Sequence, residues 1–438
     1  MLLSIERAGN FMNPADKLPR TVGFWGTALF PVNGMIGSGI FAMPAILVAA
    51  VGNFAPWMML LGALIILPLA WVFAALAMRF DGHGGPVLYA NAAFGKFAGF
   101  QSGWMRYASA VVAVAANAHV AIAYLAVLFP ALEDPFLRSV ATIAFIAFVT
   151  VINLVGMRAS VRVLGTMTII KLAPLVVLTI VGLLTHDPAV GLTLPQFTDF
   201  ESVVLLTFYA YMAFENANFP AGELRNPRRT IPLALMTTLA AVALFYMLVI
   251  WAYLAIAPDA GGGESALAAA AGEIAGQAGV VVISLAAAFS VAANTLNGGI
   301  VVPRMTYGMA EQGTLPAVFA HVSPRFQTPD VSILFYGGIA ILFSFWGGFA
   351  ALAVASTLSR LVTYLLSALA LPVLERRDGD QTPWWHLVIA LLAAVATLWV
   401  ASHASAKAFQ MLGLIFAVGT ILFFFAAHPR RYPFSSEA

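Results

Sequence analysis

The stretch Pro31-Val32-Asn33-Gly34-Met35-Ile36-Gly37-Ser38-Gly39-Ile40-Phe41 interrupts an apolar run that is otherwise long enough to cross a bilayer as one helix. Its glycines at 34, 37 and 39 each cost helix stability, at roughly 1 kcal/mol apiece. In hydrocarbon an unpaired peptide group costs several kcal/mol more unless it lines a protected cavity. A helix broken here has to border such a cavity, and its unwound peptide groups are expected to bind something.

The rest of the chain places this break inside a membrane. Of 438 residues 61% are hydrophobic and 9% charged, with a mean hydropathy of +0.92, which excludes a soluble domain of this length. Spans need about 20 apolar residues each. Twelve such stretches lie near 22-49, 55-78, 100-129, 136-156, 163-184, 203-222, 232-256, 279-303, 331-349, 351-374, 384-402 and 408-427, with Gly347-Gly348 marking the turn between the ninth and tenth. The expected fold is an all-α membrane protein. Residues 1-20 carry Glu6, Arg7, Asp16, Lys17 and Arg20 without an apolar core, so no cleavable signal peptide is expected and the first span directs insertion. There is no cysteine, hence no disulfide framework and no thiolate metal site. No metal, cofactor or nucleic-acid partner is implied; the bilayer is.

Basic residues set the expected orientation. With the N-terminus inside and the spans alternating, Arg7, Lys17, Arg20, Arg79, Lys96, Arg158, Arg162, Arg225, Arg228, Arg229, Arg304, Arg325, Arg376, Arg377, Arg430 and Arg431 face the cytoplasm, and Arg138 and Lys407 the outside. Glu133, Asp134, Asp187, Asp199, Glu201, Asp259, Glu264 and Glu273 then fall outside. Both termini are expected in the cytoplasm of a cell-membrane protein.

Four ionisable residues remain within the spans, Arg106, Lys171, Glu215 and Arg360, and each costs about 2.5 to 3.5 kcal/mol or more if unpaired at a helix centre. They need partners or water. Lys171 lies nine residues past Arg162, too deep for easy snorkelling. Pairing of Glu215 with Arg106 is the expected arrangement, which makes the surroundings locally neutral. His119 is also intramembrane, and a packing role is expected for it.

A second irregular segment, Tyr209-Ala210-Tyr211-Met212-Ala213-Phe214-Glu215-Asn216-Ala217 followed by Pro220 and Gly222, lies five spans after the first. That odd spacing is the sequence correlate of a five-plus-five inverted repeat with broken spans one and six. The expected organisation is a segment 1-20, a first repeat 21-184, a second repeat 200-374, two peripheral spans within 384-427 and a tail 428-438.

Several segments resemble the amino acid-polyamine-organocation superfamily of transporters. Gly37-Ser38-Gly39-Ile40-Phe41 with Pro44 is similar to its first-helix motif. Phe214-Glu215-Asn216 with Glu223-Leu224-Arg225-Asn226-Pro227 resembles its sixth-helix exit, and Arg304, Gly313-Thr314-Leu315-Pro316 and Thr328-Pro329 resemble the stretch after its eighth helix. Gly84-Gly85-Pro86 and Tyr89 through Gly95 look like its amphipathic loop after span two. Within the superfamily, span three and Glu215 resemble arginine/agmatine-type antiporters, whereas Val114 and Gly34 stand where those have asparagines.

The resemblance implies a secondary active transporter of a small amino acid or polyamine. Lys171 looks like the helix-five lysine whose ammonium stands in for sodium, which implies a cation site with Ile36, Ser290 and Asn294, sodium independence and an option of proton coupling. Tyr209 sits where the family places an aromatic lid; Arg106, Glu215 and Tyr364 complete the gate or ion-pair candidates. Apart from any family, a zwitterion leaving water must have both charges replaced by protein dipoles. Amides of Ser38, Gly39 and Ile40, after Gly37, can take a carboxylate at a half-helix N-terminus. Carbonyls around Tyr209, Tyr211 and Met212 can take an ammonium, and Glu215 leaves open a basic amino acid or polyamine exchanger.

Other classes fit less well. A membrane hydrolase needs an activated serine or paired aspartates in the bilayer, and no aspartate lies in any span, so no enzyme is expected. A channel needs repeated filter carbonyls or polar rings, which do not appear. A receptor role is the remaining alternative.

Overall fold

The computed structural model describes residues 23–80, 85–155, 161–187, 193–218, 224, 226–256, 263–377 and 383–426. Among them every regular element is helical. In chain order these are α1 (Phe24–Met35), α2 (Ser38–Val51), α3 (Ala55–Ala77), α4 (Pro86–Phe94), α5 (Lys96–Leu128), α6 (Pro135–Val155), α7 (Val161–Thr185) and α8 (Phe197–Tyr211). Then follow α9 (Pro227–Ile256), α10 (Ala266–Val301), α11 (Pro303–Glu311), α12 (Asp330–Ser344), α13 (Phe349–Arg377), α14 (Trp384–Ser402) and α15 (Ala406–Ala426).

Every one of the expected spans contains a helix. Among the described residues nine helical stretches are long and apolar enough to cross a membrane, and α12 is a shorter apolar helix. The two remaining spans fall short because they are broken: α1 stops at Met35 and α8 at Tyr211. The eighth span differs from its expected start at 279. The alanine-rich run 266–271 carries α10 much further back, and the bend falls at Ala275 and Gly276, where Gly276 takes φ +56. Glycine supplies that left-handed turn without the Cβ penalty.

Burial separates the core from the lipid-facing rim. The most apolar window of α5 is 72% buried and that of α6 only 17%, so α5 runs through the centre and α6 along the outside. The outer helices α6, α14 and α15 leave Phe148, Leu391, Leu414 and Phe425 exposed, which suits hydrocarbon and not water.

Alternation of the spans is visible in contacts between loops. At one end Arg138, at the start of α6, lies 3.3 Å from Glu264, and Glu264 also accepts from the Phe349 amide at 3.2 Å. At the opposite end Arg79 is 3.6 Å from Glu375, and Arg377 donates to the Ala92 carbonyl at 2.7 Å. Below, these are the Glu264 end and the Glu375 end.

Candidate functional site

The break between α1 and α2 leaves peptide groups on both sides, and the two sides are treated differently. On the α1 side each freed carbonyl is capped from another helix. Asn294 of α10 donates to the Asn33 carbonyl at 2.6 Å and reaches that of Gly34 at 3.4 Å. Tyr246 of α9 donates to the Met35 carbonyl at 2.7 Å, and Lys171 of α7 to that of Ile36 at 2.8 Å. On the α2 side Gly37 is the N-cap, and among the described residues no side chain caps the first turn. The amides of Ser38, Gly39 and Ile40 therefore stand at the positive end of a fourteen-residue helix without a side-chain acceptor, which is the geometry that holds anions.

The sixth span breaks at Met212, whose ψ of 154 ends α8. Ala213 follows with φ +74 and leads into the short 3-10 turn Phe214–Asn218. A residue with a Cβ pays about 1–2 kcal/mol for that left-handed conformation. Gly34 passes so close that a Cβ there would lie 2.6 Å from the Asn216 amide nitrogen and 2.8 Å from the Ala213 Cβ. Only glycine lets the two breaks touch.

Glu215, on this turn, is fully buried and carries three partners. Arg360 Nη1 lies 3.1 Å from its Oε1 and Arg106 Nε 3.4 Å from the same oxygen, while the Tyr364 hydroxyl donates to Oε2 at 2.9 Å. Arg360 also donates through Nε to Ser109 at 3.0 Å, and Arg106 through Nη2 to Asn216 at 2.9 Å. Arg360 and Tyr364 are four apart on α13, so one helix face presents both.

A cavity of about 130 Å³ joins these parts, room for roughly four waters at about 30 Å³ each. Gly34, Gly37, Ser38 and Gly39 line one wall, Arg106 and Arg360 another. Val301 and Val302, at the C-terminal end of α10, extend it toward the Glu375 end. On the Glu264 side it is covered by Tyr209, whose ring meets Phe349 edge-on at 5.6 Å. The Tyr209 hydroxyl sits 3.1 Å from Ser38 Oγ, which donates to Asn117 at 2.6 Å.

Several expected residues take other positions. Ile40, Tyr211 and Glu215 do not border the cavity among the described residues: Ile40 is packed in the core, and the Tyr211 hydroxyl donates to the Met59 carbonyl at 2.7 Å. Lys171 meets Ile36 but not Ser290, whose buried hydroxyl has no partner among the described residues, and Asn294 turns to α1 instead. His119 bonds the Ser344 carbonyl at 3.0 Å, a packing contact. Pro220 and Gly222 lie outside the described residues. Asn117, Asn216 and Tyr336 line the cavity without having been expected there; Asn117 is three residues from Val114, on one face of α5.

A multi-pass helical membrane protein with a cavity at two touching helix breaks is the class that this architecture defines. A profile of the amino acid permease family matches residues 22–425. The chain belongs to that family. It is 30% identical over 234 residues to the cadaverine/lysine antiporter of Escherichia coli strain K12, a match covering 52% of each chain, about half the length of that relative. It is 26% identical over 386 residues to the serine/threonine exchanger SteT of Bacillus subtilis, covering 84% of this chain and 86% of the exchanger.

Proposed function

We propose that this chain is a sodium-independent secondary active amino acid transporter of the cell membrane, with both termini in the cytoplasm, working by alternating access. The observation that carries the reading is the unequal capping of the first break: its negative side is closed by Asn294, Tyr246 and Lys171, while its positive side is left to a ligand. In this reading the amides of Ser38 and Gly39, which line the cavity, bind the substrate carboxylate, with that of Ile40 adding to the helix end behind them. The carbonyls of Tyr209 and Ala213 already serve the turn, by accepting from Met212 and Asn216. That of Met212, which lines the cavity, is therefore the proposed acceptor for the ammonium.

Lys171 takes the part of a resident cation by holding the Ile36 carbonyl, which removes the need for sodium; the option of proton coupling stays with the same amine. Tyr209 is the gate on the Glu264 side, and Glu215 with Arg106, Arg360 and Tyr364 braces the break in span six. The repeats 21-184 and 200-374 form the core, in which spans one and six rock or bend around the site, with the spans of 384-427 at the periphery. The match to the cadaverine/lysine antiporter supports a second reading, a basic amino acid or polyamine exchanger. Against it stand the two guanidinium groups on the cavity wall.

Counterflow in proteoliposomes tests the proposal. Vesicles preloaded with an amino acid mixture are expected to accumulate at least one labelled amino acid, equally well when choline replaces sodium. Absence of exchange for every amino acid and polyamine, or strict sodium dependence, overturns it.

A further inference from the structure

Resting on the transport reading above, we infer that Asn117 is a positioning residue that couples a substrate carboxylate at the first break to closure of the Tyr209 gate. Each donor in the surrounding network points one way. Ser38 gives its one hydroxyl proton to Asn117 Oδ1 at 2.6 Å, so in the 3.1 Å contact between the hydroxyls of Tyr209 and Ser38 it is Tyr209 that donates. Asn117 Nδ2 donates to Asn294 Oδ1 at 3.3 Å and to Thr295 Oγ1 at 3.2 Å. Thr295 spends its own proton on the Val291 carbonyl at 2.8 Å, and Asn294 donates onward to the Asn33 carbonyl at 2.6 Å. The chain of donors thus runs from the gate on α8, through α2, α5 and α10, to the capped side of the break in α1.

Asn117 Oδ1 has a second donor within reach, the Tyr209 hydroxyl at 3.5 Å. Ser38 borders the cavity, and a carboxylate bound at its amide competes for its hydroxyl proton. A charged oxygen is the stronger acceptor, so that proton turns from Asn117 to the substrate. Oδ1 is then a buried acceptor without its donor, which is costly, and the Tyr209 proton is the replacement at hand. Taking it shortens the 3.5 Å contact toward an ordinary hydrogen bond and draws the ring over the cavity. Two hydroxyls rotate, no proton changes owner, and every group has a partner in both states. The bonds from Nδ2 to α10 hold the amide in the orientation that this exchange needs. Binding and closure share one acceptor, which gives the closed state its differential affinity for a carboxylate.

A mutant cycle in proteoliposomes tests this. Each common amino acid is tried singly, with label, in wild-type counterflow, and the one exchanged fastest becomes the probe. Asn117→Leu and Tyr209→Phe are each expected to raise its half-saturation constant a few-fold, with little change in maximal rate. Both remove the same bond, so the double variant is expected to be no worse than the worse single one. Effects that multiply overturn the inference, as does an unchanged half-saturation constant in Asn117→Leu. Should Asn117→Leu fail to fold, Ser38→Ala replaces it in the cycle, because it withholds the proton that switches: Tyr209→Phe is expected to lose its effect in that background, and an effect that persists overturns the inference. All of these leave the transport reading standing. Exchange of a polyamine but of no amino acid also overturns the inference, and a wild-type protein that exchanges nothing overturns the transport reading with it.

Discussion

The two interrupted spans meet the same problem, a helix broken inside hydrocarbon, in opposite ways. In the first span the carbonyl side of the break is capped by side chains of α7, α9 and α10, while the amide side remains open to the cavity. In the sixth the break is closed on itself by the turn Phe214–Asn218 and clamped by Glu215 to Arg106, Arg360 and Tyr364. On the proposed reading one break is a socket and the other a brace. A membrane protein can thus divide a single structural device between ligand contact and mechanical support, and the division shows in which polar groups already have partners.

The sharpest way to break the contrast is Glu215→Gln, which strands two buried guanidiniums. Loss of one partner from a buried ion pair costs about 3–5 kcal/mol, so low expression and a polydisperse elution profile are expected. Adding Arg106→Gln should restore part of the loss, with a coupling of about 0.5–3 kcal/mol in the double-mutant cycle; strictly additive effects would argue against a brace.

Next comes the socket. Gly39→Val places branched carbons beside Ala210, whose Cα is 3.5 Å from an ideal Cβ, and in front of the free amides. Binding measured by thermal shift is expected to weaken by about 3 kcal/mol or more, roughly a hundredfold, with monodisperse elution retained. Asn294→Ala uncaps the carbonyls of Asn33 and Gly34 and is expected to cost about 1–3 kcal/mol of stability, read as a lowered melting temperature without substrate. Tyr209→Phe, which removes only the hydroxyl beside Ser38 and Asn117, is expected to change substrate affinity by about 1 kcal/mol, a few-fold shift in half-saturation; a loss as large as that of Gly39→Val would move the gate into the socket.

How much of this was legible in the sequence depended on whether a residue type had to be used. The first break was legible at Gly37 and Gly39, because an apolar span has little other reason to carry them. The second was placed less well: the left-handed residue is Ala213, and an alanine gives no warning that it will take that conformation. Glu215 and Arg106 were legible as charges that need partners. Arg360 was visible as a charge, yet its joining them depends on how α13 faces the turn, which is a tertiary matter; its spacing of four from Tyr364 was the available clue. Tyr211 was read for its carbonyl, and where its ring turns was not legible: the hydroxyl reaches the Met59 carbonyl on α3. The interior end of α10 was missed because Gly276 and Glu273 look like loop residues, although the alanines before them keep the helix going.

Tyr246 has a consequence for motion. Its single hydroxyl proton lies between two carbonyls, Met35 at 2.7 Å and Ala210 at 3.3 Å, one from each interrupted span. A phenol has only one proton to donate, so strengthening either bond lengthens the other. The residue is a shared anchor: one phenol on α9 faces the broken ends of both spans, and the shorter bond goes to the first. Two segments far apart in the chain thus depend on one hydrogen-bond donor beside the cavity.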